Sequence, residues 1–228
     1  MKNITDLQEK TLDFVVKSGL TEGFYLAGGT AIIIKYAHRY SEDFDFFSLE
    51  IPESFERKVE RIMETAQKEG WKVEYEKKSP DTVIFRLNSV KFSFFEYPYR
   101  LIRPFDKRFF PLLLASDEDI VAMKSIAIIQ RGTKKDFYDF YFLLKKNKWD
   151  FNDVIRICYE KYGNNFITPL FLKAVVYFEE AEVERSYPEV EKEWQNVKNY
   201  LTKVSKDFIF RNNQKPNSSE DSSLDFKP

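Results

Sequence analysis

The stretch that decides the fold is YLAGGTAIIIKYAHRYSEDFDFF, residues 25–47. An apolar run ends at the pair Gly28 and Gly29, a helix-length segment follows, and Asp43 and Asp45 then alternate with phenylalanines. Residues i and i+2 of a strand project from the same face, so the two carboxylates should lie side by side while the intervening phenylalanine turns towards the core. The order of strand, glycine turn, helix and strand therefore predicts an α/β unit that carries a charged site.

The residue types in this stretch indicate a particular chemistry. Adjacent carboxylates repel each other unless a cation lies between them, and a hard divalent cation prefers oxygen ligands. The backbone N–H groups of a glycine turn that opens a helix can bind a phosphate. Each feature alone has a structural explanation, either a tight strand-to-helix link or a solvated strand face. In combination they indicate phosphoryl or nucleotidyl transfer.

Composition sets broad limits on the class of protein. The chain has 228 residues, is 43% hydrophobic and carries a net charge of -1, so it has no global attraction for nucleic acid or anionic lipid. The single Cys158 excludes an internal disulfide. No apolar run approaches the roughly 18 residues of a membrane-spanning helix. We therefore predict a soluble, cytoplasmic protein without membrane contact.

Hydrophobic periodicity divides the chain into an α/β half and a helical half. Strands are predicted at 24–28, 43–49, 71–78, 82–88 and 90–99, and helices between them at 5–18, 30–40 and 52–70. Further helices are predicted at 116–132, 134–147, 151–163, 166–181 and 188–209. The polar segment 211–228, rich in Ser, Asn and Pro, is predicted to be a disordered tail.

A second group of charged residues lies in the helical half. Lys124 falls on the same helical stripe as Ile120 and Ile128, and Arg131 follows one turn later. Asp136 on the next helix also points towards the side that should pack. One interpretation is a buried salt bridge between Lys124 and Asp136. The other is a triphosphate site, which would explain the excess of positive groups.

The two groups together resemble the AbiEii-type nucleotidyltransferases, toxins within the DNA polymerase β-like nucleotidyltransferase superfamily. The first block of that family matches Gly28, Gly29, Thr30, Arg39, Ser41, Asp43 and Asp45. The second block matches Lys124, Arg131, Lys135, Asp136 and Asp139. The resemblance covers residues 22 to about 145. It implies an α+β fold in which a mixed sheet with flanking helices at 1–108 is followed by a helical bundle at 109–210 that completes the active-site cleft.

The resemblance also implies a role for each matching residue. Asp43 and Asp45 would hold Mg²⁺, as two ions, while Gly28, Gly29, Thr30 and Ser41 would bind the phosphates of a nucleoside triphosphate. Arg39 and Arg131 would contact substrate, Lys124 would neutralise the triphosphate, and Asp136 would orient Lys124 or Arg39. The lone His38 and the single Cys158 are interpreted as packing residues. The implied acceptor is a hydroxyl, plausibly the 3′ end of tRNA, and the implied partner is a winged-helix antitoxin.

This chain departs from the superfamily pattern at one position. Relatives supply a third carboxylate from a later strand, where this sequence has Ser93. Glu96 is the nearest carboxylate, but it would need a bulge to reach the same face. Two alternatives stay open: the vacant position fits a non-catalytic relative that binds a nucleotide or a protein, and the near-neutral net charge fits an enzyme whose acceptor is a small molecule or a protein. A basic patch could grip tRNA at Arg100, Arg103, Lys107 and Arg108.

Overall fold

The computed structural model describes residues 3–50 and 55–213. The strands in these ranges are β1 (Phe24–Leu26), β2 (Asp43–Ser48), β3 (Val73–Ser79), β4 (Thr82–Leu87) and β5 (Val90–Phe95). The helices there are α1 (Asp6–Lys17), α2 (Gly28–Tyr36), α3 (Phe55–Lys68), α4 (Asp117–Gln130), α5 (Lys134–Asn147), α6 (Phe151–Tyr162), α7 (Thr168–Ala174), α8 (Glu179–Glu182) and α9 (Pro188–Asn213). The predicted α+β class, a mixed sheet followed by helices, is confirmed.

The five strands of this part of the chain form one mixed sheet in the order β1-β2-β5-β4-β3. β2 and β5 are parallel, whereas the other neighbouring pairs are antiparallel. The parallel pairing sets Asp43 opposite Lys91 and Asp45 opposite Ser93. Because side chains alternate along each strand, this register decides which groups share the face of the sheet that carries the aspartates.

The other face of the sheet is the core of the α/β half. Aromatic rings from three strands stack there, and all are fully buried: Phe44, Phe46, Phe85, Phe92 and Phe94. Their centroids lie 5.1 Å apart for Phe44 and Phe92 and 5.8 Å apart for Phe85 and Phe94. Helices α1 and α3 pack against the sheet. Phe44 and Phe46, which alternate with the aspartates, thus anchor β2 and hold both carboxylates out of the core.

The helical half joins the sheet at β1. The N–H of Leu26 donates to the carbonyl of Leu113 at 2.8 Å, and the N–H of Ala115 donates to the carbonyl of Leu26 at 3.0 Å. Helix α4 begins two residues later and packs against α5, α6 and α7, while α5 packs against α9. Helix α2 contacts both α4 and α5, so the helix that follows the glycine pair lies between sheet and bundle.

Three predicted helices or segments differ from the described elements or lie partly outside the described residues. The segment 166–181 is not one helix, because α7 ends at Ala174 and α8 begins at Glu179. Helix α9 continues to Asn213, past the predicted start of the tail, and the rest of that tail lies outside the described residues. The start of the helix predicted at 52–70 also lies outside them, and the described helix begins at Phe55. The division at 108/109 stays a prediction.

No helix among the described residues is long and apolar enough to cross a membrane.

Candidate active site

The two aspartates of β2 lie side by side at the floor of a cleft. Asp43 and Asp45 alternate with buried phenylalanines, as predicted, and the Lys91 ammonium lies 3.7 Å from the Asp43 carboxylate. Burial raises the pKa of Asp45, and the negative charge of Asp43 raises it further, whereas Lys124 and the Ser93 hydroxyl oppose the shift. The ionised form of Asp45 is therefore disfavoured first by burial and then by the neighbouring carboxylate.

The glycine pair is required by close approach. Gly28 has a φ of +67°, and a Cβ there would lie 3.1 Å from the Asp45 carboxylate. A Cβ at Gly29 would lie 2.1 Å from the Arg39 guanidinium, which is too close for any side chain. These glycines let the first turn of α2 lie directly against the aspartates and Arg39. The first N–H groups of an α-helix have no acceptor within the helix, so this turn can bind an anion beside the carboxylates.

Thr30 and Ser41 fix the entry to β2. The buried Thr30 hydroxyl donates to the backbone carbonyl of Asp43 and lies 2.8 Å from the Ser41 hydroxyl. The Ser41 carbonyl in turn accepts from the Gln8 side chain at 2.8 Å. Both predicted phosphate ligands therefore also hold the strand that carries the aspartates in place.

A second carboxylate cluster centres on the buried Asp139. Arg39 donates to it through Nε at 2.7 Å and Nη2 at 2.8 Å, the Lys124 ammonium lies 2.7 Å away, and Nε2 of His38 lies 2.7 Å away. Burial alone would raise the pKa of Asp139, but Arg39 and Lys124 outweigh it and hold that pKa well below its usual range. Burial lowers the pKa of His38. Asp139 thus joins the segment after α2 to helices α4 and α5.

Lys124 bridges Asp139 to Asp136. Its ammonium lies 2.9 Å from the Asp136 carboxylate, which also accepts from Arg131 at 2.8 Å and from the Thr133 hydroxyl at 2.7 Å. Burial opposes ionisation of Asp136, yet the charges of Lys124 and Arg131 lower its pKa. The structure therefore contains the buried salt bridge between Lys124 and Asp136 that the first interpretation of the sequence predicted. The same lysine nevertheless lines the cleft, as the triphosphate interpretation requires.

These groups surround one cleft of about 590 Å³ between the sheet and helices α4 and α5. All ten predicted site residues line it: Gly28, Gly29, Thr30, Arg39, Ser41, Asp43, Asp45, Lys124, Arg131 and Asp136. Their individual roles stay predictions. Sequence reasoning missed Lys91, Phe47 and Phe95, which line the cleft as well. The strand alternation could have found them, because they share the parity of the aspartates and Ser93.

The structure distinguishes the two residues considered for the third carboxylate position. Ser93 is buried, lies opposite Asp45 and lines the cleft. Glu96 follows β5 and does not line the cleft, and β5 pairs with both neighbours without a bulge. No group of three or more acidic, histidine or cysteine side chains able to hold a metal occurs among residues 3–50 and 55–213. The candidate metal ligands in the cleft are thus the two aspartates.

The predicted basic patch takes no part in this cleft. Arg103 forms hydrogen bonds of 2.5 and 2.9 Å to Glu160, and Arg108 forms bonds of 2.9 and 2.5 Å to Asp106. Arg100 and Lys107 do not line the cleft either. The cations that do line it are Arg39, Lys91, Lys124, Arg131 and Lys135.

The sequence matches a known protein family and is similar over most of its length to a protein from another organism. The family model for the nucleotidyl transferase AbiEii toxin of type IV toxin–antitoxin systems matches residues 12–212. An uncharacterised protein from Aquifex aeolicus strain VF5 is 38% identical over 210 residues, which is 92% of this chain and 99% of the relative.

A solved structure from H. pylori shares the fold at low sequence identity. An H. pylori crystal structure assigned to the nucleotidyltransferases is 15% identical, with a TM-score of 0.53 over 91% of this chain and 99% of that one. The nucleotidyltransferase toxin MenT4 from Mycobacterium tuberculosis H37Rv is 13% identical, with a TM-score of 0.49 over 87% of this chain and 91% of that one.

Proposed function

The chain belongs to the AbiEii family of nucleotidyl transferase toxins, and from that premise we propose that it transfers a nucleoside monophosphate from an NTP to the 3′-terminal hydroxyl of an RNA, with tRNA as the leading acceptor. The observation that best supports this proposal is the single cleft in which residues from both halves of the chain combine. The first half offers the paired carboxylates and the N-terminus of α2, and the helical half offers the basic side chains of Lys124, Arg131 and Lys135.

The residues fit a divalent cation in their chemistry. Asp43 and Asp45 are hard oxygen donors, and burial together with the Asp43 charge raises the pKa of Asp45, effects that a bound cation would offset. These two aspartates would hold Mg²⁺, which when bound stabilises negative charge on the attacked phosphate and on the leaving pyrophosphate. The remaining oxygen ligands would come from the substrate and from water.

Each of the other residues then has a task in binding or alignment. The N–H groups of Gly29 and Thr30, at the start of α2, bind the outer phosphates. The Arg131 side chain, which is 64% exposed although it contacts Asp136, can turn towards the triphosphate. Lys124 adds positive charge from within the bundle, while Asp136 and Asp139 fix its position.

The transfer itself is an in-line displacement. The acceptor oxygen forms a bond to the α-phosphorus as the bond from that phosphorus to the bridging oxygen breaks, and pyrophosphate leaves on the side of the glycine pair. Ser93 occupies the place where relatives carry a carboxylate, so the hydroxyl proton passes to water. Catalysis therefore depends mainly on positioning and charge.

The electrostatics of the cleft favour a polyanionic acceptor over a polycation. Lys91, Lys135 and Arg131 line the cleft, and the Asp136 carboxylate already accepts hydrogen bonds from Lys124 and Arg131. A nucleic acid end can therefore approach despite the net charge of -1 for the whole chain. NTP and tRNA both occur in the cytoplasm, where we expect the protein to act. Its family membership suggests an antitoxin, for which a winged-helix protein is our candidate.

The test is a direct transfer assay. Purified protein is incubated with Mg²⁺, each α-³²P-labelled NTP and total bacterial RNA, and the products are resolved on a denaturing gel. We expect label in the tRNA band from at least one NTP, and its loss with EDTA or in Asp45→Asn. Asp13→Asn, at an exposed position on α1, is the matched control and should label normally. Absence of labelled RNA with every NTP, or undiminished labelling by Asp45→Asn, would contradict the proposal.

A further inference from the structure

The cleft ends in an aromatic wall beyond the aspartates, formed by Phe47, Phe95 and Tyr97. Phe47 follows Asp45 on the same face of β2, and Phe95 follows Ser93 on the same face of β5. The two phenyl rings stack with centroids 5.1 Å apart, and Tyr97 meets Phe47 edge-on at 5.2 Å. All three side chains are only half-buried, so ring surface faces the cleft.

The wall lies on the acceptor side of the reaction, an inference that rests on the proposed function. The glycine pair, Ser41 and Arg131 mark the end of the cleft that binds the leaving pyrophosphate. In an in-line displacement the attacking oxygen approaches from the opposite side of the phosphorus. Along β2 that opposite direction runs from Asp45 towards Phe47, a distance of about 6.6 Å for two residues of strand. The group that carries the attacking hydroxyl must therefore rest near the wall.

The chemistry of the wall selects a flat aromatic group. Its one polar atom, the Tyr97 hydroxyl, lies 2.9 Å from the Tyr162 hydroxyl and is already used. Burial raises the pKa of Tyr97, so this hydroxyl stays neutral. Ile84, which lies opposite Ser93 on β4, and Met123 and Ile126 of α4 also line the cleft, and all three are apolar. Such a surface offers ring faces for stacking and few hydrogen bonds that could distinguish one base from another.

We propose that the aromatic wall is a stacking subsite for the base of the acceptor's 3′-terminal nucleotide. Stacking on Phe95, behind which Phe47 and Tyr25 form a continuous row of rings, holds the terminal ribose so that its hydroxyl points back along the sheet towards Asp45. Affinity at this subsite depends on the presence of a base more than on its identity.

The experiment compares two synthetic RNA acceptors of identical sequence, one ending in a normal nucleotide and one ending in an abasic ribose with its hydroxyls intact. For the wild type we expect the KM of the abasic RNA to be about tenfold higher, with a smaller change in the KM for NTP. Phe95→Leu should raise the KM of the normal RNA about tenfold and abolish the difference between the acceptors, whereas Phe95→Tyr should restore it. Phe210→Leu, at an exposed position of α9, is the matched control.

The possible outcomes separate this inference from the proposed function. Equal KM values for the two RNAs with the wild type would overturn the subsite and leave transfer intact. A Phe95→Leu variant that loses affinity for NTP while its acceptor KM is unchanged would assign the wall to the donor base, which also overturns the inference. No transfer to either RNA by the wild type would overturn the RNA acceptor itself, and the subsite with it.

Discussion

The surroundings of Asp45 oppose its ionisation, and we expect this to lower the stability of the fold. Burial and the Asp43 charge raise its pKa in the folded chain above the unfolded value. For an acid shifted in this direction, ionisation destabilises the fold above the folded pKa, and the effect vanishes below the ordinary aspartate pKa of about 4. The Asp45 carboxylate therefore weakens the metal-free protein at neutral pH.

Asp45→Asn should accordingly raise the melting temperature in EDTA at pH 7.5. We expect a gain of about 2–4 °C, the change that about 1 kcal/mol produces in a chain of this size, because the substitution removes a poorly solvated charge. The gain should shrink as the pH falls towards 4. Scanning fluorimetry over this pH range makes the measurement, with Asp13→Asn as control. A lower melting temperature for Asp45→Asn at pH 7.5 would show that the carboxylate is already compensated without metal.

Lys124 makes the opposite contribution to stability. Its ammonium lies 2.7 Å from Asp139 and 2.9 Å from Asp136, and both carboxylates are buried. Lys124→Met keeps the aliphatic stem but leaves two buried charges with less compensation, so we expect a loss of about 3 kcal/mol in the free energy of unfolding. Urea denaturation measures it. Lys17→Met, which breaks an exposed pair with Asp13 on α1, should change stability by less than about 1 kcal/mol.

If Lys124→Met unfolds at the wild-type urea concentration, Arg39 and Arg131 must be sufficient to balance the two aspartates. Lys124 would then serve substrate binding alone, as the triphosphate interpretation of the sequence holds.

At the scale of single elements, much of the fold could be predicted from the sequence because most elements have a clear period. The alternation in β2 predicted both the buried phenylalanines and the paired carboxylates. The prediction of a single helix at 166–181 was wrong. The apolar residues of this segment permit one helix, but tertiary packing divides it into two. The Phe178 ring packs 5.1 Å from Phe137 and 5.8 Å from Trp194, on α5 and α9, and the chain leaves helical geometry between α7 and α8. Periodicity contains no information about such distant contacts.

The register between β2 and β5 makes a prediction about the missing carboxylate. Ser93 lies opposite Asp45 in the cleft, whereas Glu96 lies beyond the end of β5. Ser93→Asp should therefore strengthen Mg²⁺ binding about tenfold, because a third hard oxygen ligand adds charge at the metal. Without metal it should lower the melting temperature, since three carboxylates then repel one another.

Calorimetric titration with Mg²⁺ and a metal-free melt test both parts of this prediction. Glu96→Gln is the matched control, and we expect it to bind Mg²⁺ and transfer nucleotides like the wild type. Loss of transfer in Glu96→Gln would mean that β5 rearranges when substrate binds, and that the register seen here does not set the metal ligands.

At the scale of the whole molecule, the site is assembled from segments about a hundred residues apart. Spacing within each block predicted which residues face inward, and all ten predicted site residues line one cleft. The spacing of residues could not predict which carboxylate pairs with which cation. Arg39 and His38 both contact Asp139, an arrangement that depends on how α5 packs against α2. The sequence did not predict the aromatic wall for a related reason. The pattern of a strand does not distinguish a phenylalanine that lines a cleft from one that is buried in the core.

The connection between the two halves depends on a second buried ion pair. Lys161 of α6 and Asp119 of α4 have fully buried side chains 2.7 Å apart. Asp119 also accepts the backbone N–H of Ile102 at 3.0 Å, and Lys161 donates to the carbonyl of Arg100 at 3.0 Å. This pair therefore fixes the segment between the last strand and the bundle to helices α4 and α6. Neither charge has access to water.

Lys161→Met should consequently destabilise the whole molecule. Removing Lys161 leaves the buried Asp119 charge with its hydrogen bonds but without a counter-charge, for which we expect a loss of about 3–5 kcal/mol and a lower urea midpoint. Arg103→Gln is a control from the same segment, because its contacts with Glu160 are exposed and should contribute no more than about 1 kcal/mol. Trypsin should also cleave Lys161→Met faster after Arg100, where the segment is released. If Lys161→Met melts like Arg103→Gln, the backbone N–H groups that Asp119 accepts, rather than the lysine, must hold the two halves together.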